Sequence, residues 1–251
     1  MWDKAKKWLL WGGLAAFWLL AWALCSRLVA QELLLPSPWQ VLRTLGQLWR
    51  TAAFWRSVAG SLVRVLLGFL AAVAVGSLFA VLTTRVHAAH ALLSPILHIV
   101  RAAPVASFII LAYVWLRVQL LPAFIAFLMV VPIVWGNVCE GIAQTDPKLL
   151  EMARVFHFGR RKTLRYVRLP SVKPYFETAC VTGLGFAWKS GIAAEVICSP
   201  ADSIGKQLHD AKAYLETPQV FAWTATVVLL SVLLEQLLRR AVGRKKGREN
   251  V

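Results

Sequence analysis

Three ionisable side chains inside the apolar stretches of this chain could do chemistry: Arg101, Lys189 and Glu195. Such a group is a candidate for binding or ion passage, because a partner, water or a ligand must offset its desolvation. Lys189 and Glu195 lie six residues apart on one stretch. On a helix that is about 9 Å of rise and ~240° of rotation, so they do not pair on their own element. Lys189 therefore needs a partner on another stretch, an anionic substrate or water, or it snorkels along its stem to an interface. Arg101, three residues before Pro104, reads as interfacial or structural. Glu195 is a gate or hydrogen-bonding group, or is simply exposed. Trp188 stands mid-stretch beside Lys189, whereas most of the other tryptophans sit near stretch ends, as an aromatic belt would.

Other chemistries lack their parts. The cysteines (Cys25, Cys139, Cys180, Cys198) form no C-x-x-C pair, and the five histidines form no H-x-x-x-H pair. His87 and His90 share a helical face without a neighbouring carboxylate or thiol and read as interfacial. No metal site, disulfide framework or cofactor is expected. G-x-S-x-G and the phosphate-binding G-x-x-x-x-G-K-[ST] are missing, and no nucleophile–base pair is evident in the apolar stretches. The chain is read as non-catalytic, energised by another polypeptide. A sensor is disfavoured because the tail after residue 238 is short. An ion-driven transporter is disfavoured because no convincing repeat relates two halves.

The elements that position these residues follow from composition. Hydrophobic residues make up 59% and charged residues 16% of the 251 positions, against about 45–50% and 25% in soluble domains. Apolar runs at 8–30, 62–84, 102–116, 120–139, 175–198 and 219–238 alternate with polar segments. A bilayer core takes about 20 apolar residues as helix. The third run is short and extends back through Ile96–Arg101. The first, with Arg27 and the LLLP segment after it, is read as a span and not a signal peptide. The expected fold is an all-α membrane bundle of six transmembrane helices. It forms one domain, 1–251: a first span and external amphipathic segment at 1–60, a core at 61–238, and a basic tail at 239–251.

With both termini cytoplasmic, 18 of the 28 basic residues fall on the cytoplasmic side: Lys4, Lys6 and Lys7, Arg85, eight in 140–174, and six in the tail. The positive-inside rule supports that orientation. The net charge of +16 then reflects lipid headgroups beside the spans, with no need for nucleic acid.

The segment 140–174 is patterned as structure. Asp146-Pro147 opens a helix with an N-cap and a proline at its first position. Leu149, Leu150, Ala153, Phe156 and His157 recur at helical spacing, Gly159 can end the helix, and Leu164, Val167 and Leu169 form the apolar side of a second one. Pro170 and Pro174 are expected to break the chain before the fifth span. Two short amphipathic helices joined by a turn result.

Glu151-Met152-Ala153, His157 six residues after Glu151, then nine residues and Val167-x-Leu169-Pro170 resemble the EAA loop of importer permeases of the ATP-binding-cassette superfamily, E-A-A-x3-G-x9-I-x-L-P. Leu35-Pro36-Ser37-Pro38 with Val41, Ser61-Leu62-x-Arg64-Val65-x-x-Gly68-Phe69, Arg101-x-x-Pro104, and Ala187-Trp188 with Ala194-Glu195 resemble the permeases for sulfonates, taurine, nitrate and thiamine precursors. The likeness covers most of the chain.

The resemblance implies a permease in the bacterial inner membrane. Its partners would be a cytosolic ATPase dimer, a second permease copy and an extracytoplasmic binding protein. It implies that Glu151, Met152, Ala153, Arg154, His157, Gly159, Val167, Leu169 and Pro170 form the coupling element, and that the fifth span, with Trp188, Lys189 and Glu195, lies along the translocation path together with Arg101 and Pro104. The expected cargo is a small anion or vitamin precursor. Met152 replaces the second Ala, which a helix accommodates. His157 replaces the Gly, so the turn either stays at His157, a residue that tolerates positive φ, or moves to Gly159. Gly183, Gly185 and Gly191 read chiefly as helix packing. Residues 200–216 read as an external helix, with Leu208, Ala211, Tyr214 and Leu215 as its apolar side, facing a binding protein or capping the bundle.

Overall fold

The computed structural model describes residues 2–29 and 31–246; the side chains of residues 2–11, 15 and 242–246, and Arg248 of the basic tail, lie outside the described residues. Eleven α-helices follow in order: α1 (Trp2–Val29), α2 (Pro38–Trp49), α3 (Ala52–Arg85), α4 (His87–Ala102), α5 (Val105–Tyr113), α6 (Leu121–Ala143), α7 (Pro147–Val155), α8 (Arg160–Thr163), α9 (Leu169–Cys198), α10 (Ile204–Ala213) and α11 (Thr217–Lys246). A π-helical turn, Leu164–Arg168, joins α8 to α9. No strand occurs among the described residues.

The core is built on α6, which packs along both α3 and α9. Small residues set how closely the axes approach. A Cβ on Gly191 would sit 2.6 Å from Val65 Cγ2, and one on Gly183 3.0 Å from Val130 Cγ1. On α3, a Cβ at Gly68 would overlap the Ala123 carbonyl, and one at Gly76 would sit 2.9 Å from Val134 Cβ. Two of the three α9 glycines are thus packing residues, whereas Gly185 faces open space. Helix α11 closes another side. Trp188 is buried and donates from Nε1 to the Val227 carbonyl at 3.0 Å, and Trp223 stacks on Phe54 with centroids 5.0 Å apart.

The amino-terminal elements are fastened by polar caps. Ser37 and Gln40 form a reciprocal capping box at the start of α2, with Pro38 in its first turn. Trp22 Nε1 donates to the Pro36 carbonyl at 3.1 Å and Ser26 Oγ to the Leu35 carbonyl at 2.9 Å, so α1 holds the LLLPSP segment. Pro36 and Val41 are buried there.

Four described helices are long and apolar enough to cross a membrane: Gly12–Val29, Ala52–Arg85, Leu121–Ala143 and Thr217–Ala241. The expected third span departs from a straight helix, because α4 and α5 meet at 105°. The cause is local. A residue before proline is pushed out of the α region, and Ala103, preceding Pro104, has φ −78° and ψ 145°. The expected fifth span is helical as α9 but includes Lys173, Glu177, Lys189 and Glu195. By length and apolarity the described helices therefore number four, or five with the bent pair as one span.

Pro170 and Pro174, expected to break the chain, lie inside α9. Pro170 falls in the first turn, where a missing N–H is spare, and the wider π turn directly precedes it: Leu169 N donates to the Leu164 carbonyl, five residues back. The second amphipathic helix is thus continuous with the fifth span.

Gly68→Ala is expected to destabilise the purified protein by about 1–3 kcal/mol, because the overlapped atom is backbone. Gly46→Ala, whose Cβ would meet nothing within 4 Å, should leave the melting temperature unchanged or raised. Thermal unfolding followed by size-exclusion chromatography checks the contrast.

Candidate functional site

Three regions contain the residues with chemistry. The first lies where α9 ends. Glu195 is fully buried. Ser61 Oγ donates to its Oε2 at 2.5 Å, Arg64 Nε to its Oε1 at 3.1 Å, and the Gly205 N–H to Oε2 at 3.2 Å. Ser61 also accepts from the Ile204 N–H at 2.9 Å. Arg64 extends the cluster, donating to the Asp202 carbonyl at 2.6 Å and to Gln119 Oε1 at 3.3 Å.

The backbone is shaped to permit this. Ser199 ends α9 at φ 49° and Asp202 also takes φ 49°, so the chain folds back on itself. Ser203 then caps α10, accepting from Lys206 N at 3.0 Å and donating to the Pro200 carbonyl at 2.7 Å. Gly205 must be glycine, since a Cβ would overlap Glu195 itself. Glu195 is therefore a buried, hydrogen-bonded tie within the chain and is not simply exposed. The apolar side of α10 is Ile204, Leu208 and Ala211; Tyr214 and Leu215, expected there, are exposed.

The second region is the free face of α9. Thr182, Phe186, Lys189 and Ile197 are exposed along it, and Gly185 opens onto it. Among the described residues Lys189 has no hydrogen bond or ion pair within the chain. Trp188, one position earlier, points instead into the core. Arg101 and Pro104 are exposed and lie at the bend between α4 and α5, and neither is among the hydrogen-bond partners of Glu195.

The third region is the α7–α8 loop. Asp146 caps α7 by accepting from Lys148 N at 2.8 Å, with Pro147 in the first turn. The helix ends in a left-handed turn: His157 has φ 52°, its N–H reaches the Arg154 carbonyl at 3.0 Å, and the Phe158 N–H reaches the Ala153 carbonyl at 2.8 Å. This is the Schellman pattern, usually made with glycine. The turn therefore stays at His157. Gly159, expected as a helix stop, has φ −63° and precedes α8 as its N-cap. Ala153 and Val167 are buried, whereas Glu151, Met152, Arg154, Leu169 and Pro170 are exposed.

Comparison with known proteins decides the family. A sequence profile for "Binding-protein-dependent transport system inner membrane component" matches residues 72–247. The chain belongs to this family of importer permeases. The permease is 26% identical over 234 residues to the taurine transport system permease protein TauC of Escherichia coli K12, covering 91% of this chain and 85% of that one. It is 27% identical to the putative aliphatic sulfonates transport permease protein SsuC of Bacillus subtilis 168, with 84% and 76% covered. It is 31% identical over 159 residues to the bicarbonate transport system permease protein CmpB of Synechococcus elongatus, with 63% and 57% covered. The fold resembles that in the crystal structure of a bacterial ABC transporter that imports alginate, with TM-score 0.63, 17% identity and 96% and 97% covered. The permease is thus a multi-pass inner-membrane, non-catalytic subunit of an ATP-driven importer, working with a separate ATPase and a binding protein.

Sequence reasoning passed over Ser61 and Arg64 as site residues, although both stand in the quoted S-L-x-R-V motif. A signal was present. Arg64 near the start of the second span and Glu195 near the end of the fifth share a depth in the expected topology. A carboxylate there needs such a counter-charge. Glu195→Ala leaves Arg64 without its carboxylate and is expected to cost the permease about 3–5 kcal/mol, read as lost thermal stability in detergent. Glu195→Gln, which keeps the shape and one acceptor, should cost less.

Proposed function

We propose that the permease imports a small solute bearing an anionic group, such as a sulfonate or carboxylate, as one of two identical copies flanking the path. Relatives named for taurine, aliphatic sulfonates and bicarbonate support that cargo class. Six spans are proposed: α1, α3, the bent α4–α5 pair, α6, α9 and α11. Both termini and the α7–α8 loop face the cytoplasm, in line with the basic residues clustered there. Residues 61–238 form the permease core.

The single observation behind the coupling role is the left-handed turn at His157 closing α7. It sits at the position where the resemblance places the glycine of the EAA loop. The turn presents Val155 and Phe156, both more than half exposed, as an apolar tip on a basic loop. Such a tip is left largely uncovered by the described residues and suits a cleft in the ATPase. Glu151 stands on the same short helix. Lys189, on the free face of α9, attracts the anionic cargo from a hydrated path between the two copies. A Lys at a helix centre in lipid costs ~2.5–3.5 kcal/mol even on insertion scales, and water with an anionic solute offsets that.

Glu151→Lys is expected to uncouple ATP hydrolysis from transport in proteoliposomes containing the ATPase, with insertion unchanged. Full substrate-stimulated hydrolysis and uptake would remove Glu151 from the coupling element. At the turn, His157→Gly should be tolerated, whereas His157→Val should lose about 1–2 kcal/mol through left-handed strain and lower coupling. For the path, Lys189→Met should lower uptake severalfold while melting temperature and basal hydrolysis persist. Unchanged uptake would leave Lys189 at a lipid interface.

A further inference from the structure

The loop side of the permease has a second feature, which shares Ala153 and Arg154 with the proposed coupling element. A cavity of about 540 Å³ opens between the end of α3, α7, α8 and the π turn. Five arginines line it: Arg85, Arg154, Arg160, Arg161 and Arg168. Among the described residues no carboxylate and no lysine lines it. Among the described residues none of these five guanidinium groups has a hydrogen bond or ion pair within the chain. Arg64 and Arg239, by contrast, are each paired with a glutamate.

Five like charges around one hollow repel one another, and among the described residues none of them is paired with a carboxylate. An anion is the missing component. The choice of arginine narrows which anion. A general attraction to an anionic surface needs only positive charge, and lysines stand elsewhere, including Lys162 beside the cavity. Arginine offers a planar fork matched to the paired oxygens of a phosphate or carboxylate. The placement narrows it further. Arg85 is the last residue of the apolar helix α3, and Arg168 immediately precedes α9. The cavity therefore lies where two membrane helices emerge, at the level of phospholipid headgroups. Leu150 and Phe158 in its wall provide apolar surface for the glycerol and first carbons of such a lipid.

We propose that this arginine cavity binds a phosphate group, held between the α3 terminus and the coupling loop. It would fix the loop to the membrane face, so that occupancy alters how firmly α7 is held. This rests on the placement of the loop at the ATPase-facing membrane boundary. The phosphate comes from an anionic phospholipid headgroup or from free phosphate in solution, and the experiment separates the two.

The test uses the full-length permease purified in detergent, with native mass spectrometry to measure retention of phosphatidylglycerol against phosphatidylcholine. Inorganic phosphate is titrated in parallel against the melting temperature. The double variant Arg160→Gln/Arg161→Gln is compared with Arg43→Gln/Arg50→Gln, on α2 and at the residue that caps its end, neither of which lines the cavity. Preferential retention of phosphatidylglycerol, weakened roughly 10- to 30-fold in the cavity variant and unchanged in the α2 variant, supports the proposal with a lipid as ligand. Stabilisation by inorganic phosphate that the cavity variant alone loses, without lipid preference, supports it with a free anion. Arg160→Lys/Arg161→Lys, retaining charge without the fork, should fall between wild type and the Gln variant and guards against misfolding. Equal responses of wild type and cavity variants to both probes overturn it. So does protection by the ATPase subunit alone, which would assign the arginines to carboxylates of that partner. These readouts need no transport, so their failure is separate from a failure of the coupling role.

Discussion

The buried carboxylate of Glu195 is the constraint on which the architecture turns. A carboxylate taken out of water is tolerated only if its lone pairs are filled and its charge is matched. Ser61, Arg64 and the Gly205 N–H meet both needs. These groups come from α3 and from the start of α10, so one side chain fixes three elements. It also explains why the loop after α9 takes two left-handed residues, Ser199 and Asp202, and why Gly205 lacks a side chain. The far end of α9 is thereby anchored in depth and in rotation.

Rotation is what matters for the rest of the helix. With Glu195 turned inward, Ala187, Trp188, Gly191 and Ala194 are also buried, and Lys189 is left on the opposite, free face. Running back along α9, about 45 Å for its 30 residues, the chain passes without interruption through the π turn into α8 and the loop. A displacement of α7 is therefore delivered to a stiff rod already pinned at its other end. Close contacts at Gly68, Gly76 and Gly183 hold α3 and that rod against α6, and one at Gly191 holds the rod against α3. Such packing favours movement of these helices as a unit over bending within one of them.

Much of this was legible in the sequence because membrane spans and caps leave strong local signals. Asp146-Pro147 marked a helix start that the structure places at α7, whereas the capping box at Ser37, in a segment quoted only as family-like, was not read as one. The spacing from Glu151 to Pro170 pointed to the right family. What escaped depends on non-local partners. Glu195 and Arg64 stand 131 residues apart, and nothing local states which face of α9 turns inward. Pro104 was legible as a family residue, but the 105° bend follows from what proline does to Ala103. Pro170 misled for the converse reason: a π turn directly upstream absorbs a disruption that an ordinary helix would show as a break, while nothing in the structure explains why Pro174 leaves α9 unbroken. The cluster of arginines read as general membrane charge because their convergence on one cavity is a property of the folded loop.

The account holds that the loop end of the permease meets the ATPase and the α10 end does not. Val155 and Tyr214 are both strongly exposed, at 73% and 77%, and lie toward opposite ends of α9. Single cysteines at these positions, in a variant lacking the four native cysteines, can be tested with a short thiol-to-amine cross-linker in membranes containing the assembled importer. The account predicts that Val155→Cys cross-links to the ATPase subunit and that Tyr214→Cys does not. Cross-linking of Tyr214→Cys to the ATPase, with none from Val155→Cys, would contradict it.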